Sequence, residues 1–246
     1  MSWSRDRLIN ALRRVPGYRA VSLVRGLLKG GMRRQSAVAQ ILRPKNLFQP
    51  HGTTSFDRYP EAFSVVRDAL DSRAPRLLSF GCSTGEELLT LRQYFPSATI
   101  HGIDPNPMAI RASRALIRTA DAGSITVARG GDAQHEPARS YDAVFAMAVF
   151  RHGSLGSAPP SCEKLLRFAD FERTIDELAT CLRPGGFLVI RHANFRFTDC
   201  AVAVDFELIA PRPAAPWIQS DTPIYDRANA LVPGAARDDG VYRKAG

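Results

Sequence analysis

The stretch LLSFGCSTGEELLTL, Leu77–Leu91, joins an apolar run to an amphipathic segment through a turn that contains two glycines. The apolar run predicts a short buried strand, and the segment from Glu86 onward predicts a helix. Gly81 and Gly85 suit the turn because glycine adopts backbone conformations that other residues avoid. A strand that enters a glycine turn and then a helix is typical of a doubly wound α/β sheet, which binds nucleotides at this turn.

Strands and helices alternate along the rest of the chain. Periodicity predicts strands at Leu77–Phe80, Ala98–Asp104, Ser124–Asp132, Tyr141–Phe150 and Phe187–His192, and two more in the tail at Val204–Ala210 and Gly240–Lys244. It predicts helices at Tyr59–Arg73, Glu86–Tyr94 and Met108–Thr119, and over the apolar stripe Phe171, Ile175, Leu178 and Leu182. Such alternation implies right-handed crossovers and a doubly wound, mostly parallel sheet.

The glycine turn lacks the marks of a phosphate-binding loop. Ser83 occupies the position of the second glycine of the dinucleotide motif, and no Walker lysine follows. Glu86 and Glu87 open the helix at the end that a pyrophosphate would need. Asp104 and Asp132 close the next two strands, at positions suited to a ribose and to an adenine amino group. Each carboxylate alone is explained as well by a helix cap or a solvated loop, but together they favour a nucleoside with a cationic tail, S-adenosylmethionine.

These motifs, in this order, resemble those of class I S-adenosylmethionine-dependent methyltransferases over roughly residues 57–246. The resemblance rests on LLSFGCSTGEE, IHGIDPNP, GGDA, YDAVFAMAVF and LRPGGFLVI. It implies a Rossmann-like α/β fold, with a mostly parallel seven-stranded sheet whose last strand runs antiparallel. It also implies S-adenosyl-L-methionine as the cofactor and S-adenosyl-L-homocysteine as its product.

The same resemblance implies a set of cofactor-binding residues. They are Gly81, Cys82, Ser83, Gly85, Glu86, Asp104, Pro105, Asp132, Ala133, Ala146 and Met147. The members from the glycine turn are expected along the methionine part, with Glu86 at its ammonium group. Asp104 is expected at the ribose, and Asp132 with Ala133 at the adenine. The pair from the fourth strand is expected beside the sulfonium.

A second resemblance concerns the segment before the first strand. TTSFDRYPEAF, Thr53–Phe63, followed by the glycine turn, is similar to the start of the chemotaxis-receptor glutamate methyltransferases. The chain departs from their pattern at Asp57-Arg58-Tyr59 and lacks an obvious receptor-docking insert. We therefore interpret the likeness as one of the cofactor loop and not of the protein substrate. Ser55, Phe56 and Arg58 are candidates for a lid over the cofactor.

Methyl transfer needs an aligned nucleophile, excluded water and, for O or N acceptors, removal of a proton. His152, after the fourth strand, is the candidate base, and Arg151 is the candidate to hold an anionic substrate. The alternative for His152 is a loop histidine bonded to backbone. Arg191 and His192 border the same crevice, and a helix-facing or solvent-exposed pair is their alternative role.

Segments outside the core pattern would bind the acceptor. They are Gly153–Arg167, Asn194–Asp199 and Pro216–Asn229. Their aromatic residues Phe195, Phe197, Trp217 and Tyr225 are candidates for a pocket lining, although we expect ordinary packing. Neither N-P-P-Y nor D-P-P-Y occurs, which argues against methylation of adenine or glutamine amino groups as those families perform it.

Charge divides the chain into two parts. The net charge is +9, and residues 1–50 alone carry eleven Lys or Arg and one Asp, so the remainder is close to neutral. We therefore predict a basic helical N-terminal arm at 1–50 and a methyltransferase domain at 51–246. The arm is interpreted as a loosely packed appendage, with attachment to an anionic membrane or nucleic acid, or a cleaved targeting peptide, as alternatives.

The remaining sequence features narrow the class of protein. No apolar run approaches the length that spans a bilayer. Cys82, Cys162, Cys181 and Cys200 are not spaced as metal ligands, so we expect free thiols, no metal and a cytoplasmic location. The sequence thus predicts a cytoplasmic enzyme, peripheral at a membrane if the arm binds one, that methylates an O or N atom of a small molecule. The alternatives are a protein or nucleic-acid methyltransferase that docks through the arm, and a non-catalytic S-adenosylmethionine-binding or membrane-associated protein.

Overall fold

The computed structural model describes residues 46–50, 54–211 and 222–246, and seven separate positions nearer the N-terminus: 24, 28, 34, 36–38 and 41. Those seven positions are helical. The rest of the predicted arm lies outside the described residues, as does Trp217. The partners of the arm and its boundary at residue 50 therefore stay predictions.

Seven strands of the described chain form one sheet. They are β1 (Arg76–Phe80), β2 (Thr99–Asp104), β3 (Ile125–Arg129), β4 (Tyr141–Met147), β5 (Leu182–Arg191), β6 (Phe206–Pro211) and β7 (Gly240–Lys244). Their order across the sheet is β3-β2-β1-β4-β5-β7-β6. Neighbours among β1 to β5 are parallel, and β7 runs antiparallel to both β5 and β6. The predicted doubly wound fold with an antiparallel last strand is confirmed.

Four α-helices follow in the part of the chain described from residue 54 onward. They are α1 (Pro60–Ala69), α2 (Glu86–Tyr94), α3 (Pro107–Thr119) and α4 (Phe168–Cys181). Asn106 caps the start of α3, because its side chain accepts the Met108 N–H at 3.0 Å. Pro107 suits the first helical position, where its missing N–H is not needed. Helix α2 begins directly after Gly85, whose φ of 100° ends the glycine turn.

The sheet has an apolar core on each face. One core holds Leu78 and Val144 with Phe171 of α4, and the other holds Leu77 and Phe145 with side chains of α1 and α2. Successive residues of a strand point to opposite faces, so β4 supplies both cores. Every residue of β4 is buried, as predicted from its apolar run.

Several predicted strand boundaries were wrong. Strand β3 ends at Arg129 and not at Asp132, and β6 begins at Phe206 and not at Val204. Strand β4 ends at Met147 and not at Phe150, because Ala148 takes a φ of 60° and leaves the extended conformation. Strand β5 begins at Leu182 and not at Phe187, because Leu182 pairs with Tyr141 before a register shift, after which Phe187 pairs with Ala143. The earlier end of β4 turns the residues after it toward the neighbouring strand ends.

Candidate functional site

A cleft opens at the carboxyl ends of β1, β2 and β4. It encloses about 1150 Å³ of empty volume, including its open mouth. Its lining includes Gly81, Ser83, Asp104, Pro105, Asn106, Ala109, Gly130, Gly131, Met147, Val149 and Arg151, together with residues 46–50 and Arg58. In a doubly wound sheet this crevice is where ligands bind. Five predicted cofactor-binding residues, Gly81, Ser83, Asp104, Pro105 and Met147, lie on it.

The turn after β1 is held tightly against its neighbours. The N–H groups of Gly81 and Cys82 both donate to the Ile103 carbonyl, at 2.8 and 3.0 Å. Gly81 has a φ of 79°, and a Cβ there would lie 2.5 Å from Cγ2 of Val149. Glycine is therefore required at this position for the turn and the segment after β4 to approach each other.

Two other predicted contacts of the turn pack against protein. A Cβ on Gly102 of β2 would lie 2.9 Å from Sγ of Cys82, so the buried Cys82 side chain lies over β2, although the residue also borders a smaller pocket. A Cβ on Gly85 would lie 2.6 Å from Oγ of Ser113, so the backbone there lies close to α3. These two residues fix the shape of the turn, and a direct contact with cofactor stays a prediction for both.

Asp104, the last residue of β2, is a buried carboxylate at the edge of the cleft. Its Oδ2 accepts the Ser83 N–H at 3.0 Å, and its Oδ1 accepts the Asn106 N–H at 2.8 Å. Burial raises the pKa of Asp104 to about 6, although the two backbone donors oppose that shift. Carboxylate oxygens have further lone pairs, so the group can accept hydroxyl donors from the cleft.

The two glutamates of α2 point in different directions. Glu86 is partly exposed and accepts a hydrogen bond from the Thr84 hydroxyl. Glu87 turns inward, where the Ser79 hydroxyl donates to its Oε1 at 2.7 Å, and burial raises its pKa to about 7. Glu87, and not the predicted Glu86, is among the residues that line a pocket beside the turn. Sequence periodicity could not separate them, because they are the first two residues of α2.

The predicted adenine residues lie behind the cleft wall. Asp132 accepts a hydrogen bond from Nδ2 of Asn46 at 3.1 Å. The Ala133 N–H donates to Glu177 of α4 at 3.1 Å, and Ala133 itself is buried. Their neighbours Gly130 and Gly131 line the cleft instead. Any contact of Asp132 or Ala133 with adenine stays a prediction.

Residues 46–50 form a wall of the cleft that the sequence did not reveal. Phe48 is 5% exposed and meets Phe150 edge to face, with ring centroids 5.1 Å apart. Asn46 bonds to Asp132 and also accepts from Nη2 of Arg173 at 2.9 Å. An aromatic residue in a basic segment was the one available signal. This short segment packs on the domain and helps to enclose the cleft.

A smaller pocket adjoins the cleft on the far side of the glycine turn. Its empty volume is about 390 Å³, and it shares Arg58, Gly81, Ser83 and Met147 with the cleft. The rest of its lining includes Thr54, Ser55, Tyr59, Glu87 and Thr90. It is therefore a polar extension of the same site.

The predicted lid segment is attached to α2. The Asp57 N–H donates to Oγ1 of Thr90 at 3.0 Å, and the Tyr94 hydroxyl donates to Oδ1 of Asp57 at 2.9 Å. Ser55 lines the smaller pocket and Arg58 lines both pockets, whereas Phe56 is 55% exposed. The structure thus places two of the three lid candidates at the site.

The end of β4 brings one catalytic candidate to the cleft. Arg151 lines it, and burial lowers the pKa of its guanidinium, with the nearby Arg58 adding to the effect. Ala146 is fully buried within the sheet, whereas Met147 lines both pockets. The positive φ of Ala148 ends the strand, and Val149 and Arg151 after it line the cleft.

His152 takes part in backbone contacts. Its Nδ1 accepts the Ser154 N–H at 3.2 Å, and its own N–H donates to Oδ1 of Asn194 at 2.9 Å. A neutral imidazole whose Nδ1 accepts a hydrogen bond carries its proton on Nε2. His152 would therefore have to release this cap, or change tautomer, to act as a base, and that role stays a prediction.

The end of β5 forms a buried polar cluster beside α1. Arg191 lies 3.6 Å from Oε1 of Glu61. His192 has a φ of 57°, and its N–H donates to Oδ2 of Asp239 at 2.6 Å. The His192 ring lies 5.7 Å from that of Tyr59. These groups are buried against α1, so of the two alternative roles the helix-facing one agrees with the structure and the solvent-exposed one was wrong.

The aromatic residues of the predicted acceptor segments belong to the core. Phe195, Phe197 and Tyr225 are buried with Phe171 in one apolar cluster. The expectation of ordinary packing is confirmed for these three. The four cysteines are buried and free. Within the described residues, no helix is long and apolar enough to cross a membrane, and no cluster of acidic, histidine and cysteine side chains is suited to a metal ion.

Comparison with known families agrees with the fold. Residues 78–188, from β1 into β5, match the family described as a methyltransferase domain. This stretch contains the glycine turn, Asp104 and the end of β4. Residues 78–188 therefore match a methyltransferase domain, within a seven-stranded sheet of the Rossmann-like methyltransferase fold.

Individual proteins resemble the chain more distantly, and no curated protein sequence matches it. Similar solved structures include the YcgJ protein from Bacillus, with 16% identity and a TM-score of 0.40. The matched region covers 51% of this chain and 47% of the Bacillus chain. An S-adenosylmethionine-dependent methyltransferase from Aquifex aeolicus shares 16% identity at a TM-score of 0.41, with 63% of this chain and 70% of that chain covered. The PH0226 protein from Pyrococcus horikoshii shares 14% identity at a TM-score of 0.43, with coverages of 61% and 63%. The chain thus spans about half the length of the Bacillus protein.

Proposed function

We propose that the protein is an S-adenosylmethionine-dependent methyltransferase that acts on an O or N atom of a small molecule. The observation that carries the proposal is the buried Asp104 carboxylate at the end of β2, bonded to the glycine turn and facing a cleft. An acidic residue there is suited to a ribose and opposes a phosphate.

The donors and acceptors of the cleft fit this cofactor. Asp104 can accept the ribose hydroxyls, while Pro105 and Ala109 offer an apolar surface for a base. Glu87 borders the smaller pocket, where a carboxylate suits an ammonium group. When bound, S-adenosylmethionine would supply an activated methyl group.

The chain's own residues would then align the acceptor and exclude water. Met147 borders both pockets and is the candidate nearest the reacting centre. Val149 closes over Gly81, and Phe48 closes the opposite wall. Walls drawn from residues 46–50 and 54–59 leave a bounded space, which supports a small acceptor over a macromolecule.

The other predicted cofactor-binding residues have different roles in the proposal. Ser83 and Pro105 line the cleft, so we assign them direct contact with the cofactor. Cys82, Gly85 and Ala146 shape the surrounding backbone. Glu86 and Asp132 each accept one hydrogen bond from a neighbour, and the Ala133 N–H donates to Glu177. None of the three lines either pocket, so we assign them supporting roles.

Calorimetry with S-adenosyl-L-homocysteine tests the proposal. We expect binding by the wild-type protein and about tenfold weaker binding by Asp104→Asn, because hydrogen bonds to a charged acceptor contribute more than neutral ones. Asp121→Asn, at an exposed turn after α3 that lines neither pocket, is the matched control and should bind normally. Absence of binding by the wild-type protein, or equal binding by Asp104→Asn, would refute the cofactor assignment.

A second experiment separates catalysis from binding alone. Methyl transfer from radiolabelled S-adenosylmethionine would be screened against small O and N acceptors. His152→Asn preserves a side-chain acceptor for the Ser154 N–H but cannot act as a base. Turnover by wild type and its loss in His152→Asn would support the base role, whereas retained turnover would remove His152 from the mechanism.

A further inference from the structure

Two arginines meet at the junction of the cleft and the smaller pocket. Arg58 lines both pockets and Arg151 lines the cleft. They are close enough for the charge of Arg58 to contribute to the lowered pKa of Arg151. Two like charges in a partly buried site repel each other, and a bound anion relieves that repulsion.

Arg151 is held in place by its neighbours and not by an acid. Its N–H donates to the Val149 carbonyl at 2.8 Å, and the adjacent Phe150 is buried among aromatic rings. The Nε of Arg151 is buried and has no hydrogen-bond acceptor among the described residues. A buried charged donor without an acceptor is costly, so a ligand that supplies one would be stabilised.

Two acids near the junction of the pockets, Asp239 and Glu87, are bonded to other groups. Asp239 accepts the N–H groups of His192 and Ala193 and pairs with Arg237 at 3.0 Å. Its charge acts on Arg151 at a distance but is shared among those three donors. Glu87 is bonded to Ser79. Neither acid therefore supplies the missing acceptor for Nε of Arg151.

Tyr59 adds a second donor at the same place. Its hydroxyl is buried and has no hydrogen-bond partner among the described residues, and its ring lies 5.1 Å from the guanidinium of Arg58. Burial raises the pKa of Tyr59 to about 12, so the phenol keeps its proton at neutral pH. The charge of Arg151 acts on this hydroxyl, which places the two groups in one neighbourhood.

We infer that the methyl acceptor carries an oxyanion, a carboxylate or a phosphate, that binds to Arg151 with Tyr59 as a second donor. This inference rests on the proposed function and names the substrate class. The planar guanidinium can donate two parallel hydrogen bonds to such a group. Arg58 completes a positive rim that would favour anionic over neutral acceptors.

S-adenosylmethionine also carries a carboxylate, so the source of the anion must be tested. The inference assigns Arg151 to the acceptor. Arg151 follows β4 and lines the wide cleft, whereas Tyr59 lines the smaller pocket, so the anion would lie where the two spaces meet beside Arg58 and Met147. Calorimetry would compare S-adenosyl-L-homocysteine with 5′-methylthioadenosine, which lacks the amino-acid group. We expect Arg151→Gln to bind both as wild type does. A loss of about tenfold for S-adenosyl-L-homocysteine alone would assign Arg151 to the cofactor and overturn the inference.

The anion site itself can be observed on the arginine. The probe is sodium acetate, and then inorganic phosphate, added to protein saturated with S-adenosyl-L-homocysteine at constant ionic strength. The Nε–H signal of Arg151, identified by its loss in Arg151→Gln, should shift and saturate. An equal response to sodium chloride would overturn the inference. The anion that binds more tightly, acetate or phosphate, indicates whether the acceptor carries a carboxylate or a phosphate.

Three controls keep the outcomes distinct. Arg118→Gln, at an exposed position on α3, should leave the acetate response unchanged. Tyr59→Phe keeps the packing and removes the hydroxyl, and we expect it to weaken acetate binding. Arg151→Lys keeps the positive charge but removes the paired donors of the guanidinium, and it replaces Arg151→Gln if that variant does not fold. If the wild-type protein binds neither nucleoside, the proposed function fails whatever the acetate result.

Discussion

The Asp104 carboxylate accepts the backbone N–H of Ser83 at 3.0 Å, which connects the end of β2 to the turn after β1. The same carboxylate accepts the N–H of Asn106, the residue that caps α3. One side chain thus fixes the ends of two neighbouring strands and the start of a helix. It does so at the edge of the cleft, where its remaining lone pairs face a ligand. The group that shapes the site is therefore also its best candidate for recognising a ribose.

We predict that affinity for S-adenosyl-L-homocysteine falls as the pH is lowered through about 6. Burial raises the pKa of Asp104 to about 6, so the carboxylate is ionised above that pH and gains a proton below it. Only the ionised form accepts on both oxygens. The affinity should fall by up to about tenfold per pH unit below the pKa, as measured by calorimetry between about pH 8 and pH 5.

The stability of the protein should respond in the opposite sense. Because the pKa of Asp104 in the folded protein lies above that of an ordinary aspartate, the ionised form is disfavoured in the folded state. The cost to the stability of the folded state is present above about pH 6 and is relieved as the pH falls.

Asp104→Asn should flatten the pH profile of affinity, because the side chain of asparagine does not titrate. Glu87, with a pKa of about 7, titrates nearby, so the comparison is made in a Glu87→Gln background. An unchanged slope in Asp104→Asn would contradict the assignment.

Gly81→Ala should destabilise the protein by about 3 kcal/mol. The left-handed φ of 79° costs about 1 kcal/mol for alanine, and the new Cβ would lie 2.5 Å from Cγ2 of Val149. Urea denaturation would measure the change. Gly123→Ala is the matched control, because Gly123 has a φ of 65° and open space around it. It should lose only the backbone part, about 1 kcal/mol.

A double substitution isolates the steric part of the Gly81 effect. Val149→Ala removes the methyl group that the new Cβ would meet, so Gly81→Ala should cost less in that background than in wild type. The two effects would add independently if the contact between Gly81 and Val149 were unimportant. Simple additivity would thus argue against the close approach as the reason for glycine.

The sequence predicted those parts of the molecule that follow from local pattern. The bounds of α2 and β7 agree with the structure because each has a clear start and a regular apolar period. Asp104 was identified because an acid at the end of the second strand has a fixed place in this topology. The antiparallel last strand, in contrast, came from the family resemblance and not from periodicity.

The parts that were missed depend on contacts between distant segments. Phe48 reaches Phe150 across about a hundred residues of chain, and no local pattern reports such a contact. Glu87 faces inward because Ser79 offers a hydroxyl, whereas Glu86 bonds to Thr84. Tertiary packing decides which of the two neighbouring acids lines the smaller pocket, so the sequence could place a carboxylate at the start of α2 but could not predict that Glu87 faces inward.

Phe48→Ala should destabilise the protein by about 3 kcal/mol and weaken the binding of S-adenosyl-L-homocysteine. Phe48 is 5% exposed and packs on Phe150 in the core, so its removal leaves a cavity beside the cleft. Thermal and urea denaturation with calorimetry would measure both effects. Phe56, at 55% exposure, provides the control. We expect Phe56→Ala to change the stability by less than about 0.5 kcal/mol. Equal effects of the two substitutions would show that residues 46–50 do not form a wall of the domain.

Asp142→Ala should destabilise the protein by about 2 kcal/mol through the start of β4. The buried Asp142 carboxylate accepts the Arg76 N–H of β1 at 2.7 Å and pairs with Arg183 of β5 at 2.8 Å, so it joins three adjacent strands. Its loss leaves a backbone donor and a guanidinium without their acceptor. The exposed pair of Arg67 and Asp68, also 2.8 Å apart, offers a matched comparison. Asp68→Ala should leave the urea midpoint unchanged, because solvent and salt screen an exposed pair. Added salt should likewise have little effect on the Asp142 difference, and a difference that vanished in high salt would place Asp142 among ordinary surface charges.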